Sequence, residues 1–167
     1  TTGANSFDAL RFVLYNGYKF SDKIILNSEL EVEHGSTGKG GEVSVEFAQL
    51  EFFINKHFNV RAGLLLIPMG FINEVHEPTF FHGNERPEVE RNIIPATWRE
   101  NGIGAFGQIA EGWTYRAYTV ASLKASAFTA AGIRAGRQSG AQSRADDFSV
   151  VARTDYDTGK GLVVGCY

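Results

Sequence analysis

Apolar and polar residues alternate along most of the chain, which is the period of a β-strand with one wet and one dry face. The clearest runs are 10–20 and 24–34, and residues 21–23 form a tight turn between them. With the turn centred there, Arg11 lies opposite Glu33 on the polar side of both strands. The two runs therefore predict an antiparallel hairpin whose strands agree about which face is polar.

The same period returns further along the chain. The remaining segments are 42–54, 58–67, 102–109, 113–122, 148–156 and 161–167, of which the last resembles an unfinished strand. Tight turns alternate with long connections, beginning with the glycine-rich loop 35–41. In the third segment the apolar parity switches, which predicts a β-bulge near Ala48-Gln49 in its hairpin with the fourth. The order predicts an all-β, antiparallel up-and-down β-barrel, partial, with about eight strands plus a stub.

Strand length and charge favour a transmembrane barrel over a soluble one. Segments of roughly ten residues are what a tilted strand needs to cross a bilayer. A soluble barrel would bury its apolar face inside, around a core or a ligand. Here the other face carries Arg, Lys and Glu, which we expect to line water. We also expect no transmembrane helix, because no run of about 18 apolar residues occurs.

Composition changes this interpretation little. The chain has 167 residues, with 13 Phe, 19 Gly and one Met, which suits strands and turns. A net charge of -3 gives no reason to expect a nucleic-acid partner. The lone cysteine, Cys166, excludes an internal disulfide, and such scarcity is compatible with export. Since no signal segment opens the chain, we expect an exported protein in mature or truncated form.

The connection 68–101 interrupts the alternation with prolines and charges of both signs. Long connections in a compact domain are usually functional. We expect one barrel segment over 1–167, with 68–101 folded into the lumen as a long loop that narrows it.

Charged residues in and near this loop are candidates for a pore constriction and solute binding. They are Arg61, Glu85, Arg86, Glu88, Glu90, Arg91 and Arg99. Fixed guanidinium groups in a narrow pore favour anions and bind phosphate bidentately. The alternative is that these arginines pair with carboxylates, including that of Glu51, and thereby fold the loop. The sequence does not separate the two, and both can hold.

We expect neither an enzyme nor a cofactor. No Ser-His-Asp or Cys-His arrangement stands out, so the sequence predicts no catalytic residue. Glu74, His76, Glu77 and His82 carry metal-capable side chains, but their spacing fits no closed zinc or calcium site. The prediction for metal is therefore none, with these side chains solvated on the loop.

The central segment resembles a known family. The stretch GLLLIPMGFINEVHEPTFFHGNERPEVERNIIPATWRENGIGAFGQ is similar to Gram-negative outer-membrane barrels of the phosphate-selective porin-like group, as are GIRAGRQ and VVARTDYD. The resemblance covers about 7–167 and implies an antiparallel transmembrane barrel for passive diffusion. Arg and Glu are nearly balanced here, whereas a phosphate-selective lumen is strongly cationic. Barrels of that group also have more strands, so we expect a fragment of a larger protein.

Together these observations predict an outer-membrane porin of a Gram-negative bacterium. It would be a passive channel for small hydrophilic or anionic solutes and ions, surrounded by outer-membrane lipid. Homo-oligomers are common among porins, and the sequence does not report subunit number. The alternative is a non-conducting outer-membrane barrel with a structural or interaction role, its loops plugging the lumen. A third reading is a soluble ligand-binding barrel.

Overall fold

Eight β-strands form one antiparallel sheet in chain order. The computed structural model describes residues 5, 7–35, 37–38 and 40–167. Within the predicted loop 35–41, Ser36 and Lys39 lie outside the described residues. The strands are β1 (Arg11–Ser21), β2 (Ile24–Glu33), β3 (Glu42–Phe53), β4 (Asn59–Leu66), β5 (Arg99–Ala110), β6 (Trp113–Ala121), β7 (Phe148–Asp157) and β8 (Val163–Cys166).

The connections differ at the two ends of the sheet. Short turns join β1 to β2, β3 to β4, β5 to β6 and β7 to β8 at one end. At the other end lie the longer connections 34–41, 67–98 and 122–147. The last two, called here the first and second long connections, contain short 3-10 or π-helical turns, and the second also contains an isolated β-bridge between Thr129 and Gly132. In the described part of the chain, no helix is long and apolar enough to cross a membrane.

The all-β, antiparallel, up-and-down architecture is confirmed, and so is the predicted pairing of Arg11 with Glu33. The sheet is open, however, and these eight strands do not close into a barrel. Eight strands enclose little more than their own side chains, whereas this sheet carries the first long connection on one face. The estimate of eight strands plus a stub is one too many, because the short β8 is itself the eighth strand.

Two local predictions need correction. Strand β5 begins at Arg99 rather than at residue 102, because Arg99 and Glu100 pair with β4 although they do not alternate. The predicted bulge near Ala48-Gln49 is wrong, since β3 and β4 pair there without a register shift. The shift lies between β2 and β3, where Glu46 is the extra residue. The change of parity is real, but it occurs earlier in the strand and against the other neighbour.

The two faces of the sheet have opposite characters. The outer face is apolar and carries, among others, Phe12, Leu14, Phe20, Val45, Ile103, Ile109, Val150 and Tyr156, all of them exposed. The inner face carries charged and polar side chains, including Glu29, Glu31, Glu51, Arg61, Arg116, Tyr118 and Arg153. Phe12 is 60% and Val150 78% exposed, whereas Glu29 and Glu31 are 7% and 6% exposed. The sheet thus buries its polar side.

A small apolar core lies between the inner face and the first long connection. Its buried members are Leu65, Ile67, Trp98, Tyr118, Val120 and Val151, with Met69 and Leu123 packed against them. Ile67 and Trp98 belong to the two ends of the connection, and the other buried members come from β4, β6 and β7. The core therefore fixes the connection where it leaves and rejoins the sheet.

Candidate functional site

The first long connection lies across the inner face. Arg153 on β7 donates a hydrogen bond from Nη1 to the carbonyl oxygen of Gly70, at 2.6 Å. Arg116 on β6 forms a salt bridge with Glu74, at 3.4 Å between Nε and Oε1. His76 reaches the opposite side and lies beside carboxylates of β2 and β3. The connection thus contacts strands on both sides of the β4–β5 pair from which it emerges.

A buried asparagine ties the two ends of this connection together. Asn73 is fully buried, and its Nδ2 donates to the carbonyl oxygens of Ile67 and Trp98, at 2.7 and 2.8 Å. Its Oδ1 accepts a hydrogen bond from the Trp98 backbone N–H at 2.6 Å. One side chain therefore binds three backbone groups at the two ends of the connection, two of which, the carbonyl oxygens of Ile67 and Trp98, also accept a backbone hydrogen bond.

The second long connection holds the first through arginines. Arg137 donates from Nη1 to the carbonyl oxygen of Pro95 at 3.0 Å, and also to that of Thr97. Arg134 donates to the carbonyl oxygens of Ala96 and Arg91. These acceptors are neutral, so both guanidinium groups are fixed in place without a counter-charge.

A polar cavity of about 200 Å³ lies where the two connections meet the inner face. We call it the arginine cavity. Its arginines are Arg11, Arg86, Arg99, Arg134 and Arg137, and its carboxylates are Glu31, Glu33, Glu42 and Glu46. Residues of both long connections and of four strands, β1, β2, β3 and β5, therefore line it.

Part of the positive charge in the arginine cavity is paired. Arg11 lies 2.5 Å from Glu31 and 2.9 Å from Glu33, measured from guanidinium nitrogen to carboxylate oxygen. Arg99 donates to Glu46 at 2.9 Å. These pairs fix the wall of the cavity.

The other arginines of the cavity repel one another. Burial and the nearby charges of Arg134 and Arg99 lower the pKa of Arg137 to about 10. Burial and the Arg134 charge likewise lower the pKa of Arg86, and burial with the Arg91 charge lowers that of Arg134. Among the described residues none of these three is in a salt bridge. An anion entering the cavity would relieve this repulsion.

Arg61 belongs to a separate cluster on the inner face. Its Nε donates to Glu51 at 2.9 Å and its Nη1 to the Tyr118 hydroxyl at 2.8 Å. The guanidinium also lies 4.8 Å from the centre of the Phe106 ring. This arginine is held on three sides, by a carboxylate, a hydroxyl and an aromatic face, and does not line the arginine cavity.

The structure separates the remaining predicted site residues. Glu88 and Arg91 form an exposed salt bridge of 2.7 Å with each other, and Glu85 is exposed. Glu90 is buried and accepts a hydrogen bond from the backbone N–H of Phe71, at 2.6 Å. Of the predicted set, only Arg86 and Arg99 line the cavity.

Sequence reasoning missed Arg134 and Arg137 as site residues. Both lie in GIRAGRQ, in a stretch from residue 123 to 145 that contains basic residues but neither Asp nor Glu. That local excess of positive charge is the signal that would have indicated them, since no carboxylate nearby in sequence is available to pair with either.

Three metal-capable side chains also converge on the inner face. One potential ligand atom from each of Glu29, His76 and Glu77 lies within 4.8 Å of the others. Burial lowers the pKa of His76, which favours its neutral form. The sequence placed His76 and Glu77 on a solvated loop, whereas His76 is buried in the structure.

Comparison with known proteins gives one relative. No protein-family model matches the chain, and no solved structure matches it. An uncharacterized protein of Aquifex aeolicus (strain VF5) is 43% identical over 164 residues, which is 95% of this chain and 37% of that protein. The chain thus spans little more than a third of the relative's length.

Proposed function

We propose that the chain is part of an outer-membrane β-barrel of a Gram-negative bacterium, and that the complete barrel is a porin. It would let small hydrophilic or anionic solutes diffuse passively. The observation that carries the proposal is the reversed character of the faces, with an exposed apolar outer face and a covered polar inner face. A transmembrane barrel has this arrangement, because lipid surrounds it and water or protein fills it.

The free energy of the outer face supports lipid as its surroundings. Apolar surface left in water costs about 25 cal/mol per Å² relative to burial. Large side chains such as Phe12, Phe20 and Ile103 remain exposed along several strands. In a soluble ligand-binding barrel these residues would point inward. The soluble alternative therefore has the less support.

Closure needs more strands than the eight described. In the part of the chain that the structure describes, no strand pairs with the outer edges of β1 and β8, and lipid cannot satisfy the backbone groups there. We infer that further strands of the same protein pair with these edges. The greater length of the Aquifex relative supports this inference, since the chain matches 37% of it.

Anion preference is assigned to the arginine cavity. Within the described ranges, Arg86, Arg134 and Arg137 carry positive charge without a paired carboxylate. Guanidinium groups bind phosphate and carboxylate oxygens in bidentate fashion. The four carboxylates of the cavity offset most of the charge of its five arginines. A moderate anion preference follows, rather than strict selection of phosphate.

The second candidate is a barrel that does not conduct. The observation in its favour is the mutual fixing of the two long connections, with Arg137 bound to Pro95 and Thr97 and Asn73 closing the first connection. If the lumen of the complete barrel is narrow, this assembly acts as a plug rather than as a filter.

Single-channel recording distinguishes these candidates. The full-length protein is inserted in a planar bilayer, and conductance and reversal potential are measured in a salt gradient. We expect steady conductance with an anion preference that falls in Arg86→Ala and in Arg137→Ala. Arg91→Ala is the matched control, because Arg91 is exposed and paired with Glu88. No conductance from a correctly inserted barrel would overturn the porin and favour the plug.

A further inference from the structure

Three acceptor atoms face one another where the first long connection crosses β2. His76 Nε2 lies 3.9 Å from Glu29 Oε1, and Glu77 supplies a further carboxylate oxygen to the same group. Among the described residues, none of His76 Nε2, Glu29 Oε1 and Glu77 Oε1 has a hydrogen-bond partner. His76 is only 3% exposed, so bulk water does not reach its unpartnered nitrogen.

The tautomer of His76 makes the arrangement more specific. Its Nδ1 lies 3.2 Å from the carbonyl oxygen of Asn73, which can only accept, so Nδ1 carries the proton and donates it. In the neutral ring Nε2 then carries a lone pair, and the carboxylates of Glu29, Glu46 and Glu77 lie beside it. Unprotonated acceptors do not bind one another, and what they can share is a metal cation or a proton. A backbone carbonyl on the other ring nitrogen is also the usual support of a metal-bound histidine.

We propose that Glu29, His76 and Glu77 bind a divalent transition-metal cation of the Zn²⁺ type. An imidazole nitrogen with two carboxylate oxygens is a donor set that suits Zn²⁺ or Mn²⁺ better than Ca²⁺ or Mg²⁺, which take oxygen ligands. Three protein ligands leave a coordination position for solvent.

The three ligand atoms need to move only slightly to reach bonding distance from one metal ion. Ligand atoms at bonding distance from one Zn²⁺ ion lie roughly 3–4 Å apart, and the three atoms here lie within 4.8 Å of one another. Glu77 is the half-buried member and belongs to the connection, so its side chain can close the difference. Glu46, at 3.5 Å from His76 Nε2, is already bound to Arg99 and is not needed as a ligand.

Such an ion would join the first long connection to the wall of the sheet. Glu29 is on β2, whereas His76 and Glu77 are on the connection. The proposal does not depend on whether the protein conducts.

The test is metal binding by the full-length protein in detergent, after removal of metal with a chelator. Zn²⁺ is titrated by calorimetry, and retained metal is counted by mass spectrometry after dialysis. We expect one Zn²⁺ per chain, and an affinity at least about tenfold lower in Glu77→Gln and in His76→Gln. His82→Gln is the matched control, because His82 is exposed on the same connection. Zn²⁺ should also raise the melting temperature of the wild type and the control.

Three results would overturn the proposal. One is that the wild-type protein retains no Zn²⁺. Another is that Glu77→Gln and His76→Gln, shown by circular dichroism to be folded, bind it as tightly as the wild type. The third is that Glu29 and Glu77 share a proton instead, which would leave the infrared band of a protonated carboxyl group unchanged when Zn²⁺ is added.

Discussion

The outer and inner faces belong to the same strands, yet they meet different surroundings. On β1, Phe12 is exposed, while its neighbour Arg11 is engaged with Glu31 and Glu33. Alternation alone places such residues on opposite faces but does not say which face is covered. What decides it here is the first long connection, which brings its own polar groups to the charged side. The difference shows that the buried face of a sheet can be the polar one when a loop supplies hydrogen-bond and ion-pair partners for its side chains.

The largest effect should come from removing a charge on the inner face. Arg61→Met leaves Glu51 buried without its main partner, and breaking a buried ion pair costs about 3–5 kcal/mol. We expect the free energy of unfolding, measured with urea on the protein in lipid vesicles, to fall by about 3 kcal/mol. This is the lower end of the range, because Asn27 still donates a hydrogen bond to Glu51.

The double variant Arg61→Met with Glu51→Gln is the control for that measurement. Removing both charges should recover a large part of the loss, since no unpaired carboxylate then remains buried. If Arg61→Met alone costs less than about 1 kcal/mol, the pair behaves like an exposed one and the inner face is wetter than the structure indicates.

A destabilisation of comparable size should come from adding a charge to the outer face. Ile103 lies near the middle of β5 and is exposed. Ile103→Lys should destabilise the protein in lipid vesicles by about 2–4 kcal/mol if this position is at the bilayer midplane. The same substitution should be nearly neutral if water surrounds the outer face, so the sign and size of the change report on its solvent. Ile103→Leu controls for altered packing.

A smaller loss is expected from opening the first long connection. Asn73→Leu removes three hydrogen bonds and leaves the backbone N–H of Trp98 without its acceptor, whereas the two carbonyl oxygens each keep one backbone donor. We expect about 2 kcal/mol of destabilisation and faster tryptic cleavage after Arg91. Asn92→Leu is the comparison, because Asn92 is exposed on the same connection. Equal cleavage rates in both variants would contradict the clamping role of Asn73.

The smallest loss of stability is expected at an exposed ion pair of the first long connection. Arg91→Ala removes a solvent-exposed pair with Glu88. Such pairs contribute about 0–1 kcal/mol, so we expect less than about 0.5 kcal/mol in the same unfolding assay. A loss as large as that of Arg61→Met would mean that Arg91 is buried in the complete barrel.

The sequence was sufficient for features that depend on local periodicity. The pairing of Arg11 with Glu33 follows from a tight turn and strict alternation on either side of it. The position of the bulge was harder to predict. A change of parity in β3 indicates that one residue is inserted relative to the neighbouring strand, but not which residue it is. Glu46 is identified only by its neighbours on β2. Arg99 was also not predicted to be part of a strand, although it pairs with Leu66. Its neighbours in sequence do not alternate between apolar and polar residues, so no pattern indicated a strand there.

The site was only partly predictable for a different physical reason. Arg86 and Arg99 carry obvious charge in an unusual loop, and both line the cavity. Arg134 and Arg137 reach it by binding backbone carbonyls about forty positions away, and a carbonyl is the same in every residue. Nothing in the residue types marks those acceptors. The meeting of Glu29 with His76 likewise depends on how the connection crosses the sheet.

The bonds from Arg134 and Arg137 to backbone carbonyls separate two tasks that a salt bridge combines. A salt bridge holds a guanidinium in place and cancels its field at the same time. A peptide dipole fixes the geometry while leaving the monopole intact, so the potential of these groups extends over roughly one Debye length, about 10 Å at 0.1 M salt. In this protein the framework that holds the second long connection is therefore also an electrostatic source, and raising ionic strength would weaken its field without loosening its bonds.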